Sequence, residues 1–345
     1  MRNIIFIILL FLSSNSFAQT VLKVDNFSND YYAKVEIDSI KEVFSKGWIA
    51  IYDKKTNREL IKVNSDELAF EDVNSIVNKS ELPYGTQSLI LYNDFNFDGI
   101  KDFAIEDGQN SCYHGSSYTI FLFDKKSFRF NKSFTRLAHD YCGMFDVDCD
   151  TKKIYTMSKS GCCFHDYSTF IVEKNKPKVI RIIEESSEFA FDTFTEKNWN
   201  GHKMVEKSER TINLNQEGIK SILSFTISNK NKKVILYNLN DRTLNYALVD
   251  SIGDVEFSFP IETVYKNPDF RLRVTKNKST LIFTNKNTTY KIYETKDTNG
   301  NQIGIEVKIK DKTYDFQGYL KSKQGSLNDL LNVKLDNFTI EKKHM

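Results

Sequence analysis

Short runs of strand length recur along most of the chain and constrain its fold more than any other feature. In the first half they include GWIAIYD, QSLILYND, YTIFLFD, KIYTMSKS, YSTFIVEK and KVIRIIEE. Many alternate apolar with polar residues, which is the period of a half-buried β-strand. Runs such as KKVILYNL, TLNYALVD, STLIFTN and IGIEVKI repeat the pattern in the second half. The chain is therefore predicted to be all-β.

Composition agrees with this fold class. The 345 residues include 27 phenylalanines and 17 tyrosines but only 4 prolines, and aromatic residues favour strands over helices. Helical spacing is weak, with the best candidates at 66–77 and 326–331. Short strands separated by turn signals predict sheets of the sandwich, barrel or propeller type.

The strand pattern loosens after Glu185 and then resumes, so two blocks are expected. The chain is about twice as long as a typical domain, which also favours two domains. We predict a propeller-like or sandwich-like β domain over 19–197, followed by a second, smaller antiparallel β domain over 205–345.

The N-terminal segment 1–18 has the composition of a secretory signal. Arg2 precedes an apolar run at 4–12, and Ser16 and Ala18 fit the small-residue pattern of a cleavage site. The apolar run is too short to span a bilayer, and no later stretch is apolar enough to do so. We expect cleavage after Ala18 and an exported protein, periplasmic or secreted, most simply in a Gram-negative envelope.

Charge and motifs exclude several functional classes. The formal net charge is +2 and the lysines are dispersed, so neither nucleic acid nor an acidic membrane surface is an expected partner. The chain contains no G-x-S-x-G, no H-E-x-x-H and no phosphate-binding glycine loop. We therefore expect a protein that is not an enzyme.

The segment NDFNFDGIKDFAIED, residues 93–107, carries the chemistry that stands out most. Oxygen-bearing side chains fall on alternate positions before a glycine, and a further carboxylate follows it. This number and spacing of hard oxygen ligands suits Ca²⁺ better than Mg²⁺. The predicted ligands are Asp94, Asn96, Asp98, the backbone carbonyl of Ile100, and Asp102. The alternative is a hydrogen-bonded Asx turn that closes a hairpin.

The loop does not fit an EF-hand, because Ile105 stands where that motif needs glutamate and both flanks resemble strands. Its order instead resembles the strand-loop-strand calcium loop of integrin-type β-propeller repeats, where the ion is usually structural. Two other acidic stretches, DVDCD at 146–150 and DTNGNQ at 297–302, lack the glycine spacing and are predicted to be turns.

The five cysteines all lie in the first block, at positions 112, 142, 149, 162 and 163. Disulfides are the default in an exported chain. The candidates are Cys142 with Cys149, which flank a short loop, and the adjacent Cys162 and Cys163. A bridge from Cys112 to one of the adjacent pair is equally open.

Zinc binding and nucleophilic catalysis are the two alternatives to disulfides for these cysteines. CYH (112–114) and CCFH (162–165) contain zinc-ligand residue types, but neither spacing matches a common structural zinc site. Cys163 with His139 or His165 would form a nucleophile pair, but no nucleophile motif surrounds them. Disulfides and ordinary polar histidines are the preferred interpretation.

Three segments in order, DFNFDGIKDFAIEDG, HGSSYTIFLFDKKSFRF and FDVDCDTKKIYTMSKSGCCFHDYSTFIV, resemble a group of exported calcium-binding β-propeller-like proteins of Gram-negative bacteria. Characterised members are periplasmic immunity proteins that inhibit lysozyme-like effectors of a bacterial-killing type IV secretion system. The resemblance covers roughly residues 85–185. It implies calcium at the loop described above and a lysozyme-like peptidoglycan hydrolase as partner.

The resemblance also directs attention to two loops. Periplasmic lysozyme inhibitors of other types insert a Ser-Gly-x-Tyr-like loop into the enzyme cleft. HGSSY (114–118) and SGCCFHDY (160–167) carry some of these residues, though neither in the same order. The candidate inhibitory residues are Gly115, Ser116, Tyr118, Ser160 and Gly161. The alternative for each loop is a tight turn between strands with a core tyrosine.

The second block resembles, more loosely, a small β domain of exported bacterial proteins that has no defined activity. Two functions therefore follow from the sequence. The chain is expected to be an exported calcium-binding inhibitor of a cell-wall hydrolase, or a general envelope or secreted module with structural calcium and a glycan or protein ligand.

Overall fold

The computed structural model of the chain describes residues 20–39, 44–69, 78, 80–82, 85–260, 270–297 and 300–341. The predicted signal, residues 1–18, lies outside them. The described residues form many antiparallel strands and little helix, which confirms the all-β prediction. Among these residues, no helix is both long and apolar enough to cross a membrane.

Twenty-seven strands, β1–β27, are seen in the described residues. Strands β1–β10 are Thr20–Val24, Tyr31–Ile37, Phe44–Asp53, Glu59–Ala69, Ser80–Leu82, Gly85–Gln87, Ile90–Asn93, Asp102–Ser111, Gly115–Asp124 and Ser127–Phe130. Strands β11–β18 are Asp146–Asp148, Lys153–Ser160, Phe164–Glu173, Lys176–Glu188, Phe191–Trp199, Met204–Ile212, Ile219–Ile227 and Lys232–Leu239. Strands β19–β27 are Thr243–Val249, Val255–Phe259, Phe270–Val274, Lys278–Asn285, Thr288–Asp297, Gly300–Ile309, Lys312–Gln317, Gln324–Gly325 and Phe338–Glu341.

Helical structure within the described residues is limited to short pieces. The α-helix α1 spans Lys132–Asp140, and 3-10 turns cover Cys112–His114, Leu320–Ser322 and Leu327–Asn332. The helix expected at 326–331 is thus a 3-10 turn. The helix expected at 66–77 is wrong in its described part, because 66–69 belong to β4; the rest lies outside the described residues.

The strands form five larger sheets and a ribbon of β5 with β6. The sheet orders are β1-β2-β3-β4, β10-β9-β8-β7, β11-β12-β13-β14-β15-β16, β20-β19-β18-β17-β26, and β25-β24-β23-β22-β21-β27.

The chain clusters into two compact units. The first contains Met1–Ser160, His165–Ile182 and Asn198–Met204, and the second contains Gly161–Phe164, Ile183–Lys197 and Val205–Met345. The domain limits expected from the sequence stay a prediction.

In the first unit, the central strand β8 is buried on both faces. Phe103 and Ile105 join an apolar cluster built mainly by β1–β4. Ala104, between them, joins a second cluster that includes Phe134 and Leu137 of α1. Because successive side chains of a strand point to opposite faces, covering both faces buries nearly every residue of β8. The polar side chains of β8 therefore lie in the protein interior, away from water.

Helix α1 covers one of these faces. Asn131 caps it, since its side-chain oxygen accepts hydrogen bonds from the backbone N–H groups of Ser133 (3.0 Å) and Phe134 (3.2 Å). Phe134, Leu137 and Ala138 recur at helical spacing and are buried. The sequence pattern did not predict this helix, because nine residues make a weak periodic signal.

Apolar packing in the second unit is centred on one large cluster that is rich in aromatic residues. Phe283 stacks on Tyr290 with 4.8 Å between ring centroids and also packs against Phe259 at 4.8 Å. The predicted runs of this block coincide with β18–β25. The loosened pattern after Glu185 nevertheless contains β15, most of whose residues are only partly buried, so its side chains show little apolar alternation.

Candidate functional site

The predicted calcium loop joins β7 to β8 and is closed by its own side chains. The Asp94 carboxylate accepts hydrogen bonds from the backbone N–H of Gly99 (2.8 Å) and of Asp98 (3.2 Å). Asp98 accepts from the N–H of Ile100 at 2.9 Å and from the Asn96 amide at 2.9 Å. Gly99 has φ +88°, a left-handed conformation that glycine adopts without strain. The polar side chains therefore converge on the inside of one tight turn.

Asp102 forms the buried side of this loop. It is 0% exposed, and its two carboxylate oxygens accept from the backbone N–H groups of Phe95 (3.0 Å) and Phe123 (2.8 Å). Burial raises the pKa of Asp102 to about 7, with the two hydrogen bonds opposing the shift and the charges of Asp98 and Asp94 adding to it.

The donor chemistry of the loop fits a hard cation. The loop carries three carboxylates and one amide, and Ile100 can contribute only its backbone carbonyl because its side chain has no oxygen. Among the described residues, no group of three or more His, Cys, Asp or Glu side chains is arranged to hold a metal ion, so Asp94, Asp98 and Asp102 do not form such a group in this structure. The loop would thus depend on its amide and carbonyl oxygens as well, which is usual for calcium.

Of the other two acidic stretches, DVDCD contains a turn, whereas the described residues of DTNGNQ belong to the ends of β23 and β24. Asp148 accepts from the N–H groups of Asp150 (3.0 Å) and Thr151 (3.1 Å), and from the Thr151 hydroxyl at 2.6 Å. This is an Asx turn between β11 and β12. In DTNGNQ, Asn299 lies outside the described residues.

A second buried carboxylate, Glu106, lies further along β8. It is 0% exposed; one oxygen, Oε1, accepts from Gln109 Nε2 at 2.6 Å and from Ser116 Oγ at 3.2 Å. Glu106 Oε2 and Gln109 Oε1 are both buried without a hydrogen-bond partner among the described residues. Burial raises the pKa of Glu106 to about 8. Burial therefore favours the neutral, protonated form of Glu106.

Asp107 and His139 form an ion pair beside Glu106. Asp107 accepts from His139 Nε2 at 2.8 Å, from Thr119 Oγ1 at 2.6 Å and from Ser117 Oγ. Burial raises the pKa of the Asp107 carboxyl, but these hydrogen bonds lower it by more, so the net direction is downward. The hydrogen bond to Asp107 in turn raises the pKa of His139. The pair links β8 and β9 to the last turn of α1.

The two candidate inhibitory loops differ sharply in exposure. Ser116 and Tyr118 belong to β9 and are 1% and 0% exposed. Tyr118 donates its hydroxyl hydrogen to the Ser88 carbonyl at 2.8 Å. A partner cannot reach these two side chains, because they are part of the core. Gly115 is half-buried at the start of the strand.

The turn between β12 and β13 is the accessible loop. Ser160 and Gly161 are exposed, as are the two cysteines that follow, and Phe164 is 37% exposed. Gly161 has φ +63°, which suits a tight turn. Of the two loops, only this one presents its candidate residues to solvent.

The cysteines pair differently from the first expectation. Cys142 bonds to Cys112 rather than to Cys149, and Cys162 bonds to its neighbour Cys163. Cys149 is a free, exposed thiol. Four of the five cysteines are thus disulfide-bonded, so the zinc and Cys163 nucleophile alternatives have no free thiolate to use.

A groove in the first unit brings together side chains that the sequence did not single out as a site. It has a volume of about 380 Å³ and lies between Tyr141, Tyr155 and Tyr167, with Asp146 and Thr156 also lining it. Tyr155 is 39% and Tyr167 is 42% exposed. The alternating pattern of β12 and β13 identifies these strands but does not show that their tyrosines share a groove.

Comparison with known proteins gives little support for a family assignment. No protein-family model matches the chain, and no curated protein matches it significantly.

Solved structures show low similarity. A protein related to the type IV secretion system of Xanthomonas shares 18% identity over 56% of this chain and 94% of its own, with a TM-score of 0.43. Prolyl oligopeptidase B of Galerina marginata shares 8% identity over 87% of this chain and 48% of its own, with a TM-score of 0.25. The periplasmic gluconolactonase PpgL of Pseudomonas aeruginosa shares 9% identity over 84% of each chain, with a TM-score of 0.19. TM-scores this low carry no argument about function.

Proposed function

We propose that this chain is an exported calcium-binding β protein that inhibits a lysozyme-like cell-wall hydrolase without being an enzyme itself. The observation that carries the calcium part is the β7–β8 loop, where a fully buried carboxylate lies behind two further carboxylates in one turn. The hydrolase part rests on the resemblance of residues 85–185 and on the exposure of the β12–β13 turn.

Calcium would be held by Asp94, Asn96, Asp98, the carbonyl of Ile100, and Asp102. Its charge would offset the repulsion among the carboxylates and tie the end of β7 to the start of β8. An ion that binds only the folded chain stabilises it, by about 2.7 kcal/mol at one hundred times its dissociation constant. Its role in this proposal is structural.

The inhibitory surface in this proposal is the turn Ser160–Phe164. Exposure supports this choice over the 114–118 segment, whose serine and tyrosine are buried. Short exposed turns held by strands lose little conformational entropy on binding. An exposed aromatic side chain such as Phe164 is also a typical anchor of a protein interface.

Calorimetric titration of the purified protein with Ca²⁺ tests the metal site. We expect Asp98→Ala to abolish measurable calcium binding, because it removes one of the proposed ligands. Asp98 is exposed, so the substitution opens no cavity and should leave the fold intact. Asp150→Ala is the matched control, since Asp150 is an exposed aspartate of the β11–β12 turn. Unchanged calcium binding by Asp98→Ala would overturn the site.

A panel of lysozyme-type peptidoglycan hydrolases tests the inhibitory role, with calcium and again with chelator. We expect one member to be inhibited, and Phe164→Ala to weaken inhibition by about tenfold or more, as for an aromatic hot spot. Phe130→Ala is the control, because Phe130 is 57% exposed on a different strand. Inhibition unaffected by Phe164→Ala would argue against this turn as the contact surface.

The second candidate is a general binding module with structural calcium and a glycan or protein ligand. The tyrosine-lined groove of the first unit favours it. Calcium binding without inhibition of any hydrolase would shift the proposal to this function.

A further inference from the structure

The two disulfides differ in how much of the fold depends on them. Cys112–Cys142 joins residues 30 positions apart, whereas Cys162–Cys163 joins neighbours. A disulfide stabilises a fold by restricting the unfolded chain, and in the chain-entropy account this contribution grows with the length of the closed segment. Adjacent cysteines are held together by the backbone in any case. The Cys162–Cys163 bond therefore contributes little to the stability of the fold.

The two bonds also differ in their access to solvent. Cys162 and Cys163 are both exposed, while Cys112 and Cys142 are partly buried. Thiol–disulfide exchange begins when a thiolate attacks one sulfur of the bond, so its rate depends on access to that sulfur. Exposed disulfides are accordingly the ones that serve as labile or regulatory bonds. A reductant should reach Cys162–Cys163 before it reaches the other bond.

The backbone of the exposed pair is held by contacts that involve no sulfur atom. The carbonyl of Cys163 accepts from the backbone N–H of Ser187, in β14, at 2.8 Å. The Ser187 hydroxyl donates to one oxygen of Asp192, and the other oxygen accepts from Asn213 Nδ2 at 3.1 Å. Opening the disulfide should therefore leave Cys163 attached to β14. The two thiols also stay adjacent along the chain, so the bond can form again without refolding.

We propose that Cys162–Cys163 is a reversible redox site, which a dithiol reduces while the rest of the fold stays oxidised. One thiolate of the dithiol attacks a sulfur, breaks the Cys162–Cys163 bond and forms a mixed disulfide. The second thiol of the reductant then attacks the mixed disulfide and displaces the cysteine. The reductant becomes a disulfide, and the chain gains two electrons and two protons as two thiols.

The site would regulate the surface proposed to inhibit a hydrolase, and this part rests on the proposed function. The pair lies within the turn Ser160–Phe164, where the disulfide closes a small ring and restricts the backbone torsions of both cysteines. Opening the ring frees these torsions, so the turn loses more conformational entropy when it binds a partner. Reduction should therefore weaken inhibition. Calcium binding by the loop at 94–102 uses none of these residues and should not change.

The test is reduction of the full, folded protein by dithiothreitol, followed by an acid quench, alkylation and peptide mass spectrometry. We expect thiols at Cys162 and Cys163 to appear at least about tenfold faster than those at Cys112 and Cys142, because attack depends on access. Cys149 is already a free thiol and provides the reference for complete alkylation. Cys149→Ser should show the same order of reduction, which excludes exchange through that thiol.

Stability measurements separate a redox site from a structural bond. Cys162→Ser/Cys163→Ser should unfold within about 2 °C of wild type, whereas Cys112→Ser/Cys142→Ser should unfold at a clearly lower temperature. Two outcomes would overturn the proposal. One is reduction of both bonds at the same rate or of Cys112–Cys142 first, and the other is a larger loss of stability in the first variant than in the second.

The regulatory part is measured with Cys162→Ser/Cys163→Ser, which keeps the ring open without a reductant that can attack disulfides of the hydrolase. We expect this variant to inhibit about tenfold more weakly than wild type and to bind calcium equally well. Equal inhibition by the two proteins would contradict regulation of the turn. If wild type inhibits no hydrolase, the order of alkylation still decides whether the pair is a redox site, so the two failures are distinguishable.

Discussion

The two units differ in the kind of polar group that they bury. In the second unit, Asn337 is 0% exposed, and both ends of its neutral amide are satisfied by the backbone of Leu244, at 2.8 Å and 2.9 Å. In the first unit, the equally buried groups are the carboxylates of Asp102 and Glu106. One oxygen of Glu106 has no partner among the described residues.

Buried neutral groups and buried ionisable groups differ in what they cost the folded protein. A buried amide with complete hydrogen bonding specifies one arrangement of strands at little cost. A buried ionisable group is costly unless it is paired, protonated or bound to a cation. Among the described residues, the second unit buries only neutral polar side chains, while the first unit buries two carboxylates and is proposed to bind calcium.

The largest expected effect is in the aromatic core of the second unit. Phe283→Ala removes a ring that is 1% exposed and contacts Phe259 and Tyr290, so we expect a loss of about 3–5 kcal/mol in the free energy of unfolding. Denaturant unfolding measures it, with Tyr314→Ala as an exposed control. The loss should be the same with and without calcium. A stability loss that depends on calcium would show that the core of the second unit is also coupled to calcium, which contradicts the difference between the units.

The next effect concerns Glu106 and pH. Its pKa in the folded chain, about 8, is above its ordinary value of 4.5, so the folded state binds the proton more tightly than the unfolded state. Glu106 therefore makes the free energy of unfolding fall as pH rises from 4.5 to about 8, by at most about 1.4 kcal/mol per pH unit.

Glu106→Gln isolates this contribution. The variant keeps a neutral amide and should lose stability less steeply across the same pH range, with its largest advantage over wild type above pH 8. Thermal unfolding across pH measures both slopes. The nearby Asp107–His139 pair is present in both proteins, so the difference between the slopes belongs to Glu106. Parallel slopes would contradict a proton on Glu106.

The smallest effect is at the cap of α1. Asn131→Ala removes the oxygen that accepts from the N–H groups of Ser133 and Phe134, and should cost about 1 kcal/mol of unfolding free energy. Asn131→Asp keeps the capping oxygen and should therefore retain most of the unfolding free energy that Asn131→Ala loses. Chemical denaturation compares the three proteins. If aspartate failed to restore stability, capping would not be the main role of Asn131.

Periodicity predicted the strands well, because alternation directly reflects which side of a sheet faces the core. It predicted burial of particular residues poorly. Ser116 and Tyr118 resembled an exposed loop, yet β9 extends through them. The buried state of Glu106 depends on layers that cover both faces of its sheet, which local sequence does not report.

The sequence likewise predicted some parts of the candidate site and not others. The loop at 94–102 was recognisable because its donors are close in sequence, while its metal binding stays a prediction. The Cys112–Cys142 bond and the tyrosine groove join residues that are distant or whose orientation is set by packing. Sequence spacing alone could not choose the pairing or find the groove.

The Cys112–Cys142 bond also changes what chain cleavage does to this protein. It closes the segment 112–142 into a covalent ring that contains β9, β10 and α1. A protease that cuts within this ring, for example beside the exposed Phe130, opens the ring but releases no fragment. The nicked protein gains only the water of hydrolysis, and its two pieces stay covalently joined until a reductant breaks the disulfide.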